Sequence, residues 1–291
     1  MRLSSWLKDP PPACAFELSE AGIAAAATAS LPEIAFHPLP PGVLSVSPLH
    51  DNVLMPDSLA AAVKAAAPPN GKRRAAALIL PDNCVRVSVL DLDGFPADPK
   101  EQLPLVKFRI KKSVPFDVEA AAVSYWPQPT GGKKMDVVAA VAPLEIIARY
   151  EAPFRAAGLD PGLVTTSSLA MLHLYSGREL AVIAKLSGRV LSLIVADGAT
   201  LKLVRCLELP RPSLADIAAD LYPTFVFAED QLSRKAQRLL LCGFGALAEE
   251  ARSQFHAELD IPVDLIASRL GTPGEGNAGL LGYLQSHLEA A

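Results

Sequence analysis

The 291-residue chain has only four cysteines, Cys14, Cys84, Cys206 and Cys242, and no two of them form a Cys-x-x-Cys pair. Each lies beside apolar residues. This pattern excludes a disulfide framework and a zinc ribbon, and reads as reduced, buried thiols of a cytosolic protein. The five histidines, His37, His50, His173, His256 and His287, show no metal-ligand spacing, so no metal site is expected. No Ser-His-Asp or Cys-His constellation stands out, and no catalytic residue is nominated. There is no excess of positive charge either. The formal net charge is −4 with both signs spread along the chain, which leaves no basic field for nucleic acid. No apolar run approaches the ~20 residues needed to span a bilayer, and the amino terminus lacks the continuous apolar stretch of a signal peptide. A soluble chain is the expectation.

Half of the residues are apolar, at 51%, enough for the core of one large or two ordinary domains. Strand, turn and returning strand are read over Cys14 to Leu18 and Ile23 to Thr28, with Glu20-Ala21-Gly22 between them. Asp57 opens a helical pattern with Leu59, Ala62, Val63 and Ala66 on one face. Two further strands, Ala76 to Leu80 and Val85 to Leu90, flank the turn Pro81-Asp82-Asn83. From Asp93 the texture changes to "LPLVKFRIKKSVPFD", then to two strands joined at Gly131-Gly132, then to a helix from Pro143 to about Ala157 closed by Gly158. A helix over Ser167 to Tyr175 leads into "AVIAKLSGRVLSLIVADGATLKLVR", strands with tight turns at Ser187-Gly188 and Asp197-Gly198. Ser213 caps a long helical pattern. A buried strand, Arg238 to Cys242, then runs through Gly243-Phe244-Gly245 into a helix, followed by a strand near Ile266 and a last helix near Gly276. Strands alternating with helices in this way make an α/β or α+β protein.

Three of these stretches together resemble the PilM family: "FRIKKSVPFDVEAAAVSYW", "APLEIIARYEAPFRAAGLDPGLVTTSSLAML" and "LLLCGFGALAEEARSQFHAELDIPV". The resemblance runs in order over most of the chain. It implies the actin-like ATPase (ribonuclease H-like) fold shared with FtsA, two-lobed with an inserted subdomain. Residues 1–92 with 165–180 would form the first lobe, 93–164 the inserted subdomain and 181–291 the second lobe. The implied function is that of a scaffold in type IV pilus assembly, cytoplasmic and peripheral at the inner membrane, holding the cytoplasmic segment of a PilN-like membrane protein. A GspL-like component of type II secretion is the neighbouring alternative.

The resemblance also locates a nucleotide site and shows where this chain departs from it. Actin-like sites hold phosphates on two hairpin turns, each with an acidic residue nearby to orient Mg²⁺ and water. At the first turn Glu17 stands where Asp is expected, and Ser19 where glycine would permit close approach. At the second, Lys185 takes the acidic position, Ser187 the glycine, and Gly188 comes one place later. A lysine can meet a phosphate as a point charge but cannot ligate Mg²⁺. Only "CLELPRP" separates Arg205 from the helix at Ser213, so the adenine-covering subdomain is reduced; Gly243 and Gly245 match the adenosine-side turn. The expectation is ordinary sheet turns in a fold without nucleotide. Retained binding of ATP with Mg²⁺ at Ser19, Lys185, Ser187, Gly188, Gly243 and Gly245 is the competing reading, and a sugar kinase would need an acidic base that no Asp is placed to supply.

The groove between the first lobe and the inserted subdomain is then the candidate partner surface. Phe108, Arg109, Lys111, Lys112 and Phe116 offer cations and apolar groups in alternation, while Val106 and Ile110 would face a core. Of Tyr125 and Trp126, one is expected in the core, and either could anchor a partner. Capture by strand addition or by groove filling would suit an inserted subdomain with exposed strands.

Overall fold

A computed structural model describes residues 12–28, 33–68, 73–128 and 134–290. The Gly131-Gly132 turn and residues 1–11 lie outside them. In the first lobe, β1 (Cys14–Ser19) and β2 (Gly22–Ala27) form the expected hairpin, and β3 (Ala35–Pro38) continues the meander. Helix α1 (Pro56–Ala66) begins at a proline, whose missing N–H costs nothing at a helix start; Asp57 lies in its first turn rather than at the cap. Strand β4 (Arg74–Leu80) then pairs parallel to β1.

The chain leaves this lobe at Pro81. Strand β5 (Arg86–Leu92), helix α2 (Pro99–Ile110) and strands β6 (Ala121–Gln128) and β7 (Met135–Pro143) form a separate three-stranded sheet of order β5-β7-β6, backed by α2. Val106 and Ile110 are fully buried in its core, as the helical spacing expects. Helix α3 (Leu144–Ala156) and strand β8 (Leu159–Thr166) return to the first lobe, where Tyr150 and Phe154 pack with Phe16 and Leu59 and β8 pairs parallel to β4. Helix α4 (Ser167–Met171), capped by Thr166, runs on as a tight turn to Leu174.

The second lobe repeats the first. Strands β9 (Leu180–Ser187), β10 (Val190–Asp197) and β11 (Thr200–Glu208) form an antiparallel meander. Helix α5 (Leu214–Leu232) is capped by Ser213 and continues through Pro223. Strand β12 (Arg238–Cys242), helix α6 (Ala248–Leu259) and strand β13 (Val263–Leu265) complete the lobe. The sheet orders β3-β2-β1-β4-β8 and β11-β10-β9-β12-β13 are the same pattern, antiparallel on one side of the first strand and parallel on the other. The last helix, α7 (Ala278–Ala290), crosses back: Leu280, Tyr283 and Leu284 cover the alanine-rich face of β1, β2 and β4.

Two boundaries therefore differ from the sequence reading. The inserted subdomain spans 86–143 rather than 93–164, because β5 finds its partner in β7 and α3 buries its apolar face on α1 and β1. The span 181–291 is not all second lobe, because α7 packs on the first. Gly279 and Gly282 permit that packing, since a Cβ at Gly282 would stand 2.1 Å from the Ala170 carbonyl oxygen on α4.

Candidate functional site

The turns of the two lobes face each other, and both are closed by the chain itself. At the β1–β2 turn, the Ser19 hydroxyl accepts from the Gly22 N–H at 3.2 Å and donates to the Gly22 carbonyl at 3.1 Å. Its neighbour Glu20 accepts from the Val46 N–H at 3.1 Å. At the β9–β10 turn, Gly188 adopts a left-handed φ of 56° and its N–H donates to the Glu275 carboxylate at 3.2 Å. The Ser187 hydroxyl donates to the Glu275 carbonyl at 2.6 Å. Glu275 belongs to the segment that carries the chain from β13 back to α7. The N–H of Gly188, one that a phosphate cradle would offer, is thus held by an internal carboxylate.

Beneath the turns lies a buried ionic cluster. Asp82, in the turn after β4, meets Lys185 of β9 at 2.9 Å; their side chains are 2% and 1% exposed. The same Asp82 oxygen accepts from the Ser192 hydroxyl of β10 at 2.8 Å, and its other oxygen accepts from the Ser168 N–H in the first turn of α4 at 2.6 Å. Glu17 of β1 accepts from the Ser167 hydroxyl and, at 2.7 Å, from the Leu280 N–H near the start of α7. Carboxylates at the starts of α4 and α7 also suit the positive ends of those helices.

The charges follow from this geometry. Burial pushes the Asp82 carboxyl up, but the Lys185 charge and the bonds from Ser168 and Lys185 outweigh it and hold the group below the usual carboxylate range. Burial works to lower Lys185, and Asp82 and Glu17 more than offset it, so its ammonium is held above the ordinary lysine value. For Glu17 burial prevails over Lys185 and the hydrogen bonds, and its carboxyl is raised. A depressed Asp82 contributes stability above its unfolded pKa, about 3.9, and loses it as pH falls through the lower folded value. The gap in unfolding free energy between wild type and Asp82→Asn should therefore be full at pH 7 and shrink towards pH 3, read by urea denaturation at both. A gap that stays constant would contradict the assignment.

The expected nucleotide residues are accordingly dispersed. Ser19, Ser187 and Gly188 line one small hollow with Glu20, Asp82 and Glu275, about 190 Å³ in volume, below the ~300 Å³ where small-molecule sites begin. Lys185, which the sequence nominates as a phosphate contact, is beneath it, fully buried and paired with Asp82. Gly243 and Gly245 do not line the hollow. Gly243, at φ 77°, is where β12 runs against β9, and a Cβ there would lie 2.1 Å from the Leu186 carbonyl oxygen. Gly243→Ala should cost about 2–4 kcal/mol from left-handed strain and overpacking together, measured as a lowered urea midpoint.

Sequence reasoning missed Asp82, Ser192 and Glu275 as members of this site. Asp82 reads as a turn residue after proline. The available signal was Lys185 inside the apolar run "AVIAKLS": a lysine buried in a central strand requires a buried carboxylate partner.

The partner residues also separate. A groove of about 660 Å³ opens between β6 and β7 of the subdomain, α4 with its following turn in the first lobe, and the β10–β11 turn of the second. Tyr125 and Trp126 line it with Leu169, His173, Tyr175 and Arg178. Trp126 is 58% exposed, and β6 is an edge strand of its sheet. Tyr125 is fixed by a 2.9 Å bond to Gln102 and by edge-on packing against Phe95. Phe108 and Lys111 line a different, shallow hollow on α2, where Phe108 is 71% exposed and Lys107 pairs with Glu119 at 2.7 Å. Phe116 packs on the subdomain core and borders a third hollow beside Asp51 and Arg149. Arg109 and Lys112 are exposed and line none of these. The expected single partner surface is thus three; the side chain of Trp126 lies on the 660 Å³ groove, while that of Tyr125 turns to the α2 face of the sheet.

Among the described residues no helix is long and apolar enough to cross a membrane. No protein-family model matches the chain, and no curated protein matches it by sequence. Solved structures do. A chain of a PilM-PilN type IV pilus biogenesis complex superposes with a TM-score of 0.77 at 18% identity, covering 95% of this chain and 98% of that one. A Bacteroides thetaiotaomicron protein described as having an actin-like ATPase fold matches at 0.55 and 12% identity, over 94% of this chain and 95% of that one. The cytoplasmic domain of EpsL from Vibrio cholerae, an inner membrane component of the type II secretion system, scores 0.49 at 13% identity, over 96% and 94%. The expected resemblance is thus found in three dimensions, and the chain has the actin-like ATPase fold, shared over 95% of its length with the chain of the PilM-PilN complex.

Proposed function

We propose that this chain is a PilM-like scaffold of a type IV pilus assembly machine, which captures the cytoplasmic segment of a PilN-like inner-membrane protein and does not use nucleotide. The observation that carries the reading is the apolar groove beside the open edge of β6, in a fold whose opposed turns are closed by their own side chains. An extended peptide could add along the β6 edge and seat an apolar side chain against Trp126, with Arg178 at hand for a carboxylate. The protein would then lie in the cytoplasm and reach the membrane through its partner. A GspL-like place in type II secretion would use the same groove for a different peptide.

The test is calorimetric titration of the purified chain with a synthetic peptide of the cytoplasmic segment of the organism's PilN-like protein, and separately with Mg-ATP. Saturable one-to-one peptide binding, with no heat and no thermal shift from millimolar Mg-ATP, is the expected result. Saturable nucleotide binding without peptide binding would overturn the reading and restore the ATP-binding alternative.

A further inference from the structure

The groove has walls from all three bodies, so its shape depends on how those bodies are held. Two-lobed folds open by rotation about the segments that cross between lobes. Here the crossings are the link from α4 to β9 and the link from β13 to α7. Both are tied. In the first, the Tyr175 hydroxyl donates to the Glu179 carbonyl at 3.0 Å, and the Glu179 carboxylate meets Arg238 of β12 at 3.3 Å. In the second, Glu275 holds Ser187 and Gly188 of the β9–β10 turn. Between the crossings, Asp82 of the first lobe bonds Lys185 and Ser192 of the second with water excluded. The subdomain is fastened to the second lobe as well. The Gln128 side chain makes both bonds of a pair with the Leu201 backbone, at 2.8 and 2.7 Å, and Lys202 meets Asp136 at 2.7 Å.

The chemistry of the cluster says what these ties replace. A cation, Lys185, beside the buried carboxylates of Asp82 and Glu17, and an anion, Glu275, against the β9–β10 turn, have the signs of the charges that a Mg²⁺-phosphate group would bring to such a cleft. We infer that Lys185 and Glu275 are built-in ligands of the cleft, the ammonium in place of the metal and the carboxylate in place of a phosphate, and that they hold the lobes permanently in the closed arrangement that forms the groove. Opening would break the Asp82 contacts with Lys185 and Ser192 together with the Glu275 contacts to the β9–β10 turn. The groove is therefore preorganised, and its occupant meets no cost of domain closure. This inference rests on the reading of a cleft without nucleotide, but not on which peptide fills the groove.

The lock is tested by distance. All four native thiols are raised by burial, those of Cys206 and Cys242 to about 12, and label poorly, so Lys64→Cys on α1 and Ser253→Cys on α6, both exposed, can carry a pair of spin labels across the lobes. One narrow distance distribution, unchanged by millimolar Mg-ATP, is expected. In Glu275→Ala and Ser192→Ala, which keep the buried ion pair and should fold, the distribution should broaden; Lys185→Met should broaden it further. A broad wild-type distribution, or an unchanged narrow one in the Glu275→Ala and Ser192→Ala variants, overturns the lock and leaves the peptide reading intact. A distance that moves with Mg-ATP overturns both the lock and the nucleotide-free cleft.

Discussion

Lys185→Met should destabilise the protein by about 3–5 kcal/mol, the range for removing one member of a buried ion pair. Methionine matches the lysine stem in volume, so packing contributes little to the loss. What remains is Asp82 at 2% exposure with its cation gone and Glu17 close by, both carboxyls out of water. Domains of ordinary stability have ~5–15 kcal/mol in total, so the variant should unfold at a much lower urea concentration. The double variant Lys185→Met with Asp82→Asn should recover more than half of the loss. The amide still accepts from the Ser168 N–H, and the Asp82 charge no longer faces the methionine. A double variant no more stable than Lys185→Met alone would show that Lys185 acts through packing and not through Asp82.

The second large effect concerns binding. Trp126→Ala should weaken peptide capture by at least ~30-fold, the ~2 kcal/mol of an aromatic anchor in a groove. The same substitution should leave folding nearly untouched, since Trp126 is 58% exposed in the free protein. Phe108→Ala is the informative control: that side chain is 71% exposed but stands in a separate hollow on α2, and its loss should change affinity less than about twofold. Calorimetric titration of both variants against the same peptide decides between the surfaces. A result with the roles reversed would move the partner site to the basic helix.

Much of the local architecture was legible in the chain. Alternation and turn residues locate β1 and β2, β9 to β11 with their turns at Gly188 and Gly198, and the Ser213 cap of α5, because each is a short-range choice made within a few residues. The departures at the two turns were visible as well, in Ser19 and Lys185 standing where the family resemblance expects glycine and a carboxylate.

Which elements meet was decided only in three dimensions. Strand β5 reads as part of the first lobe but pairs with β7, and α7 reads as part of the second lobe but covers β1, β2 and β4, because an apolar face is satisfied by any complementary surface the chain can reach. Lys185 shows the division most clearly. Its place in an apolar run dictates that it be paired, whereas the identity of that partner, Asp82, 103 residues earlier and in the opposite lobe, depends on two sheets packing face to turn. Residue chemistry sets what each group requires, and the long-range packing determines which group supplies it.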